Sequence, residues 1–461
     1  MSQTISFVST LPADVRARAQ SQLVPLPLPR RPTFALYSLG CKVNAADSHQ
    51  IARMLSAQGF RRVEFRESAD LYVIDTCTVT AAANVKSRKA AARAHRNNPD
   101  ALVAVTGCAA TKDAAQFERA APGALVLSNF EKFDLPARAL AKLNSTEGWA
   151  QNYAEVRAQT GSEPVPLSSN VRAVLKIQDG CDHKCSYCII PRVRGASVIK
   201  SKSELLCQTR ELVSEGAREV VVTGVSMGDF SLGANRVQGS KNAALNELLV
   251  SIARLPEVVR VRTSSLDPAD VDEEWLQCVA NEICPHIHLA LQSGSRSVLA
   301  RMRRRYTPEL YLKWAKRWRE INLDAGLTTD VIVGFPGETE SEWNETLELC
   351  RAAQFSAIHV FPYSPREDTF AATHIKELGG QVQSEIQNRR VDELLTLASE
   401  SSAQFASRFF GREVEVLVES VEDGIAEGLL PNYLRARVQV EARVGDLVRF
   451  VPSKWEEGAL V

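Results

Sequence analysis

The sequence predicts a multidomain α/β protein with three structural parts. These are an N-terminal parallel α/β domain of Rossmann-like type, a central partial β/α barrel of TIM-like type, and a small C-terminal antiparallel β-barrel of OB-like type. Three observations predict them. The chain of 461 residues is too long for one compact core. Short apolar runs alternate with helical patterns in two successive series, and the last fifty residues change to short alternating strands.

The first series predicts an N-terminal domain over residues 33–143. Its β-branched runs, each bounded by turn residues, predict strands at 33–39, 71–75, 102–106 and 124–128, with helices at 45–58 and 81–96. Such alternation is typical of a parallel sheet with helices on both faces. Residues 1–32 are rich in Pro, Ala and Gln, which predicts a disordered extension, and the polar stretch 144–170 is interpreted as a linker.

The second series predicts a barrel domain over residues 171–398. Strands are expected near 173–178, 219–223, 258–264, 286–292, 328–333 and 357–361, which makes six β/α steps of a partial or full barrel. An amphipathic helix is predicted over 381–410, with Gly411 as its C-cap. Residues 399–461 are assigned to the C-terminal barrel because "REVEVLVES", "YLRARVQVE" and "DLVRFVP" alternate like short strands.

Composition narrows the functional classes. Lys+Arg and Asp+Glu number 55 each, so global charge gives no indication of a nucleic-acid partner. No run of apolar residues is long enough for a membrane span, and the N-terminus lacks the pattern of a signal peptide, so a cytoplasmic protein is expected. Ten cysteines in such a chain indicate a reducing compartment, where clustered thiols serve metals or catalysis more often than disulfides.

Three cysteines lie close together in the stretch "QDGCDHKCSYCIIPR". Cys181, Cys185 and Cys188 follow a predicted strand on one loop, so their thiolates converge on one site. An iron–sulfur cluster with three protein ligands leaves one iron open to a small molecule. A structural zinc normally has a fourth ligand, for which His183 is the candidate, and uncoordinated thiols are the third alternative.

A second set of cysteines is dispersed along the chain. Cys41, Cys77 and Cys108 each come just after the end of a predicted parallel strand, and such ends line one crevice of an open α/β sheet. A second metal site and three separately buried apolar thiols both remain open. The remaining four cysteines have no partner spacing and are interpreted as structural: Cys207, Cys278, Cys284 and Cys350.

Together these motifs resemble the methylthiotransferase family of radical S-adenosylmethionine (SAM) enzymes. The loop "GCDHKCSYCIIPRVRG" is similar to the radical SAM cluster motif of that family, the dispersed cysteines to its N-terminal cluster domain, and "GREVEV…RFVP" to a TRAM domain, an RNA-binding β-barrel. The resemblance covers the chain from Thr33 to its C-terminus. It implies a methylthiotransferase domain, a radical SAM domain and a TRAM domain over the three ranges predicted above.

The resemblance also implies cofactors and a reaction. Cys181, Cys185 and Cys188 would hold a [4Fe–4S] cluster whose open iron binds SAM, and reduction would yield a 5′-deoxyadenosyl radical. The second trio would hold another [4Fe–4S] cluster that carries the sulfur, with a second SAM as methyl donor. A small-protein electron donor is implied, whereas the sulfur donor is unknown.

Further SAM or substrate contacts are expected where barrel strands end. Tyr187 stands at the position where the family has an aromatic residue near the adenine of SAM. The candidates at strand ends are Thr223, Gly224, Ser264, Gln292, Ser293 and Asp330.

Within the family, the motifs "SSLDP", "HVFPYSPREDTFAA" and "GLLPNYLRARV" resemble the branch acting on N6-threonylcarbamoyladenosine 3′ to the anticodon of tRNA. The partner implied is the tRNA anticodon stem-loop. The sibling branches, which act on N6-isopentenyladenosine in tRNA or on a ribosomal-protein aspartate, are alternatives. A non-enzymatic RNA-binding protein with structural metal is the alternative of another class.

Local charge predicts where RNA binds. Residues 301–320 hold eight Lys/Arg against two Glu, and 86–96 hold five Lys/Arg and no acid, whereas 411–461 hold ten acids and six bases. The RNA-binding candidates are Arg303, Arg304, Tyr433, Arg435 and Arg437, by ion pairing and stacking.

Overall fold

The structure, a computed structural model, describes residues 31–78, 81–145, 149, 153–155, 171–231 and 240–461. The predicted disordered extension, except 31–32, and most of the predicted linker lie outside the described residues. The predicted fold class is confirmed: a parallel N-terminal sheet, a central domain of parallel strands and a C-terminal, mainly antiparallel sheet follow one another. Among the described helices, none combines the length and apolarity that crossing a membrane requires.

The N-terminal domain is a five-stranded parallel sheet in the order β2-β1-β3-β4-β5. Its strands are β1 (Thr33–Ser38), β2 (Arg61–Val63), β3 (Leu71–Thr76), β4 (Leu102–Gly107) and β5 (Leu125–Val126). Its helices are α1 (Lys42–Ala57), α2 (Ala81–Asn97), α3 (Cys108–Lys112), α4 (Ala115–Ala120) and α5 (Leu135–Asn144). One apolar core covers each face of the sheet, which places helices on both faces as predicted. The short edge strand β2 was not predicted because its sequence "RRV" is mostly charged.

Part of the predicted linker packs against this domain. Trp149 stacks on Tyr153 with ring centres 5.1 Å apart, and both rings contact Phe60. The hydroxyl of Tyr153 donates a hydrogen bond to the carbonyl of Gln58. At these positions the chain is part of the N-terminal core, because the aromatic pair covers an otherwise exposed apolar edge.

The central domain is a partial barrel built from two four-stranded sheets, ordered β7-β6-β8-β9 and β10-β11-β12-β13. The six predicted strands are present as β6 (Arg172–Asp179), β8 (Glu219–Gly224), β9 (Arg260–Thr263), β11 (His286–Leu289), β12 (Gly326–Val333) and β13 (Ala357–Pro362). Two short strands were not predicted, β7 (Val198–Ile199) and β10 (Ser265–Leu266). The strand predicted at 258–264 is divided at Ser264, where the chain passes from one sheet into the other.

Helices cover the outside of the barrel. They are α6 (Ile190–Arg194), α7 (Lys202–Ser214), α8 (Ala243–Ala253), α9 (Glu273–Glu282), α10 (Arg296–Arg301), α11 (Pro308–Ile321), α12 (Glu340–Ala353) and α13 (Phe370–Thr373). One apolar core spans both sheets and contains three fully buried tryptophans, Trp275, Trp318 and Trp343. The two half-sheets therefore behave as one domain.

Helix α14 (Ser384–Ser407) packs on β13 and leads into the C-terminal sheet. It passes through the predicted domain boundary at 398/399. The predicted C-cap at Gly411 is wrong, because the helix ends at Ser407 with Arg408 as C-cap. Gly411 has φ +71° and donates its N–H to the carbonyl of Pro452, so its left-handed conformation serves a later turn.

The C-terminal sheet contains β14 (Val414–Glu422), β15 (Ile425–Leu429), β16 (Arg435–Gln439), β17 (Leu447–Phe450), β18 (Trp455–Glu456) and β19 (Ala459–Leu460). Its pairs are antiparallel except β16 with β19. The loop 430–434 docks under the N-terminal ends of the barrel strands. A Cβ at Gly326 would lie 2.1 Å from the carbonyl oxygen of Asn432, so only glycine allows this approach. The fully buried Arg262 donates to the carbonyls of Leu430 and Pro431.

Candidate metal centres

The loop that carries the first cysteine trio follows β6 and is fixed by backbone hydrogen bonds. The N–H of Cys181 donates to the carbonyl of Gly195, and that of Cys188 to the carbonyl of Cys185. The side-chain amide of Gln178 donates to the carbonyls of Asp179 and Gly180, and its oxygen accepts from the N–H of Ser226. The sulfurs are thus presented on a preorganised loop at the C-terminal mouth of the barrel.

Burial raises the pKa of two thiols of this trio, and one arginine contacts the third. Burial raises the pKa of Cys181 to about 11 and that of Cys188 to about 12. Arg304 donates to the sulfur of Cys185 at 3.1 Å and to Asp267 at 2.8 Å. The buried guanidinium of Arg304 is thus occupied by the cysteine loop and Asp267, and its predicted contact with RNA stays a prediction.

His183, the candidate fourth ligand of a zinc ion, is engaged elsewhere. Its Nε2 lies 3.2 Å from the hydroxyl of Ser226 and 3.9 Å from a carboxylate oxygen of Asp229. Both partners belong to the segment after β8. The ring is therefore held on the barrel, and it does not complete a four-ligand shell with the cysteines.

The dispersed cysteines lie where the strand alternation predicts them, at the carboxyl ends of the adjacent strands β1, β3 and β4. Cys41 is exposed at the start of α1, whereas Cys77 and Cys108 are buried. Gly40, at φ +117°, leaves room for one of them: a Cβ there would lie 2.8 Å from the sulfur of Cys77. Burial raises the pKa of Cys108, and Arg194 opposes that rise.

The two trios meet where α3 packs against α6. Helix α3 begins at Cys108, and α6 begins two residues after Cys188. Cys108, Ile189 and Val193 form one small apolar cluster. The side-chain amide of Asn129 donates to the sulfur of Cys108 at 3.3 Å and to the carbonyl of Val193 at 2.9 Å. One amide thus links the ligand candidate Cys108 of the N-terminal domain to helix α6, which follows the first cysteine loop.

The donor sets fit iron–sulfur clusters better than single metal ions. A zinc ion with Zn–S bonds of about 2.3 Å holds its sulfurs about 3.8 Å apart. In the part of the chain that the structure describes, neither trio has all three sulfurs within 4.8 Å of one another. A cluster separates its ligands further because each sulfur binds a different iron. All ten cysteines are described, and none of them forms a disulfide.

A buried ion network, which the sequence did not reveal, joins the two cysteine domains. Asp47 of α1 accepts hydrogen bonds from Lys132, Lys176 and Arg194. Arg194 and Lys176 also bind Asp179, two residues before Cys181. The N-terminal domain is therefore docked on the barrel through paired charges directly behind the two cysteine loops.

The predicted SAM contacts are distributed over the barrel mouth. Thr223 and Gly224 end β8, Tyr187 packs edge-on against Phe335, and Ser264 lies between the two sheets. Gln292 has φ +62° and pairs with β12. The hydroxyl of Ser293 bonds the hydroxyl of Thr346 and accepts from the N–H of Ser295, and its predicted contact with SAM stays a prediction.

Asp330 belongs to a polar group inside the barrel that the sequence analysis did not assemble. Its carboxylate lies 3.1 Å from Nε2 of His288, and one ligand atom each of His288, Asp330 and His359 lie within 4.8 Å of one another. Burial alone would raise the pKa of Asp330, but the hydrogen bond from His288 and the nearby cations keep it below its usual value. The alternation in "HIHL" and the register of β12 on β13 were the available signals.

The remaining RNA candidates differ in exposure. Tyr433 stacks on His286 with ring centres 4.5 Å apart, beside Arg262, and its predicted stacking on a base stays a prediction. Arg435 is exposed and lies 3.7 Å from a carboxylate oxygen of Glu427, whereas Arg437 is half-buried and donates to Glu457. Arg303 is exposed, with its guanidinium over the ring of Phe370.

Comparison with known families matches two parts of the chain. Residues 175–350 match the Radical SAM superfamily, and residues 33–128 match the uncharacterized protein family UPF0004. Among solved structures, the radical S-adenosylmethionine methyltransferase TsrM from Kitasatospora setae aligns with a TM-score of 0.52 at 16% identity, over 72% of this chain and 73% of that one. This likeness concerns the fold alone.

Curated relatives extend over nearly the whole chain. The threonylcarbamoyladenosine tRNA methylthiotransferases MtaB of Bacillus subtilis and Chlamydia pneumoniae are 32% and 34% identical over 90% and 93% of this chain, and over 93% and 97% of their own. A tRNA-2-methylthio-N(6)-dimethylallyladenosine synthase of Mycobacterium bovis is 34% identical over 93% of this chain and 83% of its own.

These matches decide the class of the protein. It is an enzyme of the methylthiotransferase type, and its cofactors are SAM and two [4Fe–4S] clusters, so the alternative of a non-enzymatic RNA-binding protein falls away. With both cysteine trios in place and relatives of this identity over nine-tenths of its length, the chain belongs to the radical SAM tRNA methylthiotransferase family.

Proposed function

We propose that the protein methylthiolates C2 of N6-threonylcarbamoyladenosine 3′ to the anticodon of tRNA. The observation that carries this proposal is the meeting of the two cysteine trios across the contact of α3 with α6. A reaction that takes a hydrogen atom from a carbon and places a sulfur group there needs both functions beside the same substrate atom. A joint site between the two domains supplies that proximity.

The two trios have different roles in this proposal. Cys181, Cys185 and Cys188 hold the cluster that binds SAM, since they offer three ligands and His183 is engaged elsewhere. Cys41, Cys77 and Cys108 hold the second cluster. When bound, these groups supply hydrogen abstraction and the methylated sulfur, and a second SAM supplies the methyl group.

The residues of the chain orient these groups and exclude water. Gln178 fixes the start of the first loop, and Arg304 donates to a sulfur of its trio. The network around Asp47 holds the N-terminal domain against the barrel, which fixes the distance between the two cysteine trios. Contacts to SAM or to the substrate are assigned to these described residues of the barrel: Tyr187, Thr223, Gly224, Ser264, Gln292, Ser293 and Asp330.

The choice of nucleoside rests on the polarity of the barrel interior. Relatives named for threonylcarbamoyladenosine and for dimethylallyladenosine have similar identity, so identity alone does not separate the two substrates. An isopentenyl group is apolar, whereas a threonylcarbamoyl group carries a carboxylate, a hydroxyl and N–H groups. The barrel presents the half-buried His288 and Asp330 beside the exposed His359, which suits the polar substituent.

The target base has to leave the anticodon loop to reach the barrel. Arg303 and Arg435 are the exposed cations assigned to the RNA backbone. Arg435→Gln is expected to weaken stem-loop binding a few-fold and to reduce the salt dependence by about one phosphate contact. As a tRNA-modifying enzyme, the protein is assigned to the cytoplasm, with a small-protein electron donor.

Anaerobic reconstitution tests the proposal. The full chain is loaded with iron and sulfide and given SAM, a reductant and anticodon stem-loops carrying either N6-threonylcarbamoyladenosine or N6-isopentenyladenosine. Two clusters predict about eight irons per chain, formation of 5′-deoxyadenosine, and methylthiolation of the threonylcarbamoyl RNA. Cys108→Ala should lose about half of the iron, whereas Cys207→Ala, at an exposed cysteine outside both trios, should lose none.

Two results would contradict the proposal. If Cys41, Cys77 and Cys108 are dispensable for iron content, the assignment of the second cluster is wrong. If product forms only on the isopentenyl RNA, or on neither RNA, the substrate belongs to a sibling branch.

A further inference from the structure

Lys42 carries a charge from the N-terminal domain to the barrel domain. Its backbone opens α1 of the N-terminal domain, directly after Cys41, yet its Nζ lies 5.9 Å from the ring centre of Tyr433, beneath the barrel. The side chain is half-buried. Within the described part of the chain, its ammonium makes no hydrogen bond and has no carboxylate within 4.0 Å. A partly buried ammonium that has an aromatic ring but no anion beside it favours a ligand that supplies the anion.

His359 faces the same space from β13. It pairs across the sheet with Asp330 in β12, and its ring stacks on His288 at 5.9 Å. His288 has both ring nitrogens occupied, by Asp330 at 3.1 Å and by the hydroxyl of Thr328 at 2.9 Å. No hydrogen bond is recorded for the His359 ring among the described residues. Lys42 and His359 are thus two donors of different domains that remain available.

The other charges near this space are already balanced. Arg262 is paired with Glu219, and Arg172 is paired with Glu219 and Glu419. Asp330 is compensated by His288. Lys42 is therefore the unbalanced charge of the interior, which favours an anion there and opposes a divalent cation on the nearby imidazoles and carboxylate.

We propose that Lys42 and His359 form a subsite for the carboxylate of the threonylcarbamoyl group, and that this subsite selects the nucleoside against counterparts with an uncharged alkyl substituent. This inference rests on the proposed function. Asp330, as an acceptor, is then available to an N–H or O–H of the same substituent. Lys42 directly follows Cys41 in sequence, so the backbone that carries the subsite cation also carries a cysteine assigned to the sulfur-bearing cluster.

The test compares two substrates that differ only in charge. Stem-loop RNA with threonylcarbamoyladenosine is compared with the same RNA whose carboxylate is a primary amide. Equilibrium binding and kcat/KM for methylthiolation are measured on the reconstituted full chain. The wild type should prefer the acid about 10- to 100-fold, and Lys42→Met should lose most of this preference by losing affinity for the acid alone. Lys142→Met, at an exposed lysine of the same domain, should keep it.

Iron content separates a direct role from damage to the neighbouring cluster. If Lys42→Met loses iron, His359→Leu becomes the decisive variant for the subsite, because His359 lies on barrel strand β13 and far from either cysteine trio in sequence. Collapse of the acid preference in His359→Leu supports the subsite, and retention overturns it. Stoichiometric zinc in the isolated protein that is lost in His359→Leu would assign the group to a metal ion and also overturn the subsite.

The outcomes distinguish the two levels of the proposal. A wild type that methylthiolates the acid and the amide equally well overturns the subsite while the proposed function stands. A wild type active only on isopentenyladenosine RNA overturns both.

Discussion

The space at Gly40 gives a sharp test of the second cluster site. A Cβ added there would lie 2.8 Å from both the Cβ and the sulfur of Cys77. Ordinary van der Waals contact needs about 3.5–4.0 Å, so the sulfur has to move by about 0.7 Å or more. Metal–ligand bonds tolerate errors of only about 0.2 Å. Gly40→Ala should therefore remove Cys77 from the ligand set.

A matched control separates this effect from backbone strain. Gly40 has φ +117° and Gly59 has φ +88°, so alanine at either position costs about 1–3 kcal/mol in backbone conformation. A Cβ at Gly59, however, meets nothing within 4 Å. Gly59→Ala should lower thermal stability to a similar extent and leave the iron content unchanged.

The assay is iron per folded chain after anaerobic reconstitution. Gly40→Ala should fall from about eight irons to about four while it still produces 5′-deoxyadenosine from SAM, because the barrel trio is untouched. Methylthiolated product should disappear. Iron content equal to that of Gly59→Ala would refute the assignment of Cys77 as a ligand.

Three further substitutions test the docking, the cluster environment and the barrel surface. Asp47→Asn removes a carboxylate that pairs with three buried cations, so it should lower the free energy of unfolding in urea by about 3–5 kcal/mol. Asp134→Asn, in an exposed pair, should lower it by under about 1 kcal/mol. Equal losses would contradict the role of the network. Arg304→Met should keep its iron, but the reduction potential of the barrel cluster should become more negative in a spectroscopic redox titration, because the sulfur of Cys185 loses a hydrogen-bond donor. Arg303→Met should leave that potential unchanged. Burial would raise the pKa of Glu342, but hydrogen bonds from Arg301 and Ser297 lower it from 4.5 to about 2. The ionised carboxylate therefore stabilises the fold fully above pH 4.5, and this stabilisation is lost as the pH falls toward 2. Glu342→Gln should cost about 1 kcal/mol at pH 7, and the difference in melting temperature should shrink between pH 5 and pH 3; a constant difference would contradict this sign.

Local patterns predicted the strand ends and therefore both cysteine trios. Each cysteine of the dispersed set directly follows a β-branched run, and parallel strands bring such positions to one edge of a sheet. The same local signal placed Asp330 and Gln292 at the barrel. The strand ends were predictable because strand direction and period-2 alternation are properties of short segments.

Contacts between domains were not predictable in this way. In the sequence, Lys42 is a cation on the first turn of a helix, and nothing within "GCKVN" indicates that it reaches another domain. Arg304 sits in the basic run "RMRRRY", which gives no reason to single out the one arginine whose guanidinium turns inward to Cys185. Tyr433 opens the predicted strand "YLRARVQVE", and only the docking of loop 430–434 under the barrel places its ring on His286.

The nucleosides of total tRNA test the central claim most directly. In a strain that lacks this gene, mass spectrometry should show N6-threonylcarbamoyladenosine without its 2-methylthio form. The wild-type gene should restore that form, and genes carrying Cys108→Ala or Cys188→Ala should not. An unchanged level of 2-methylthio-N6-threonylcarbamoyladenosine in the deletion strain would contradict the proposed function.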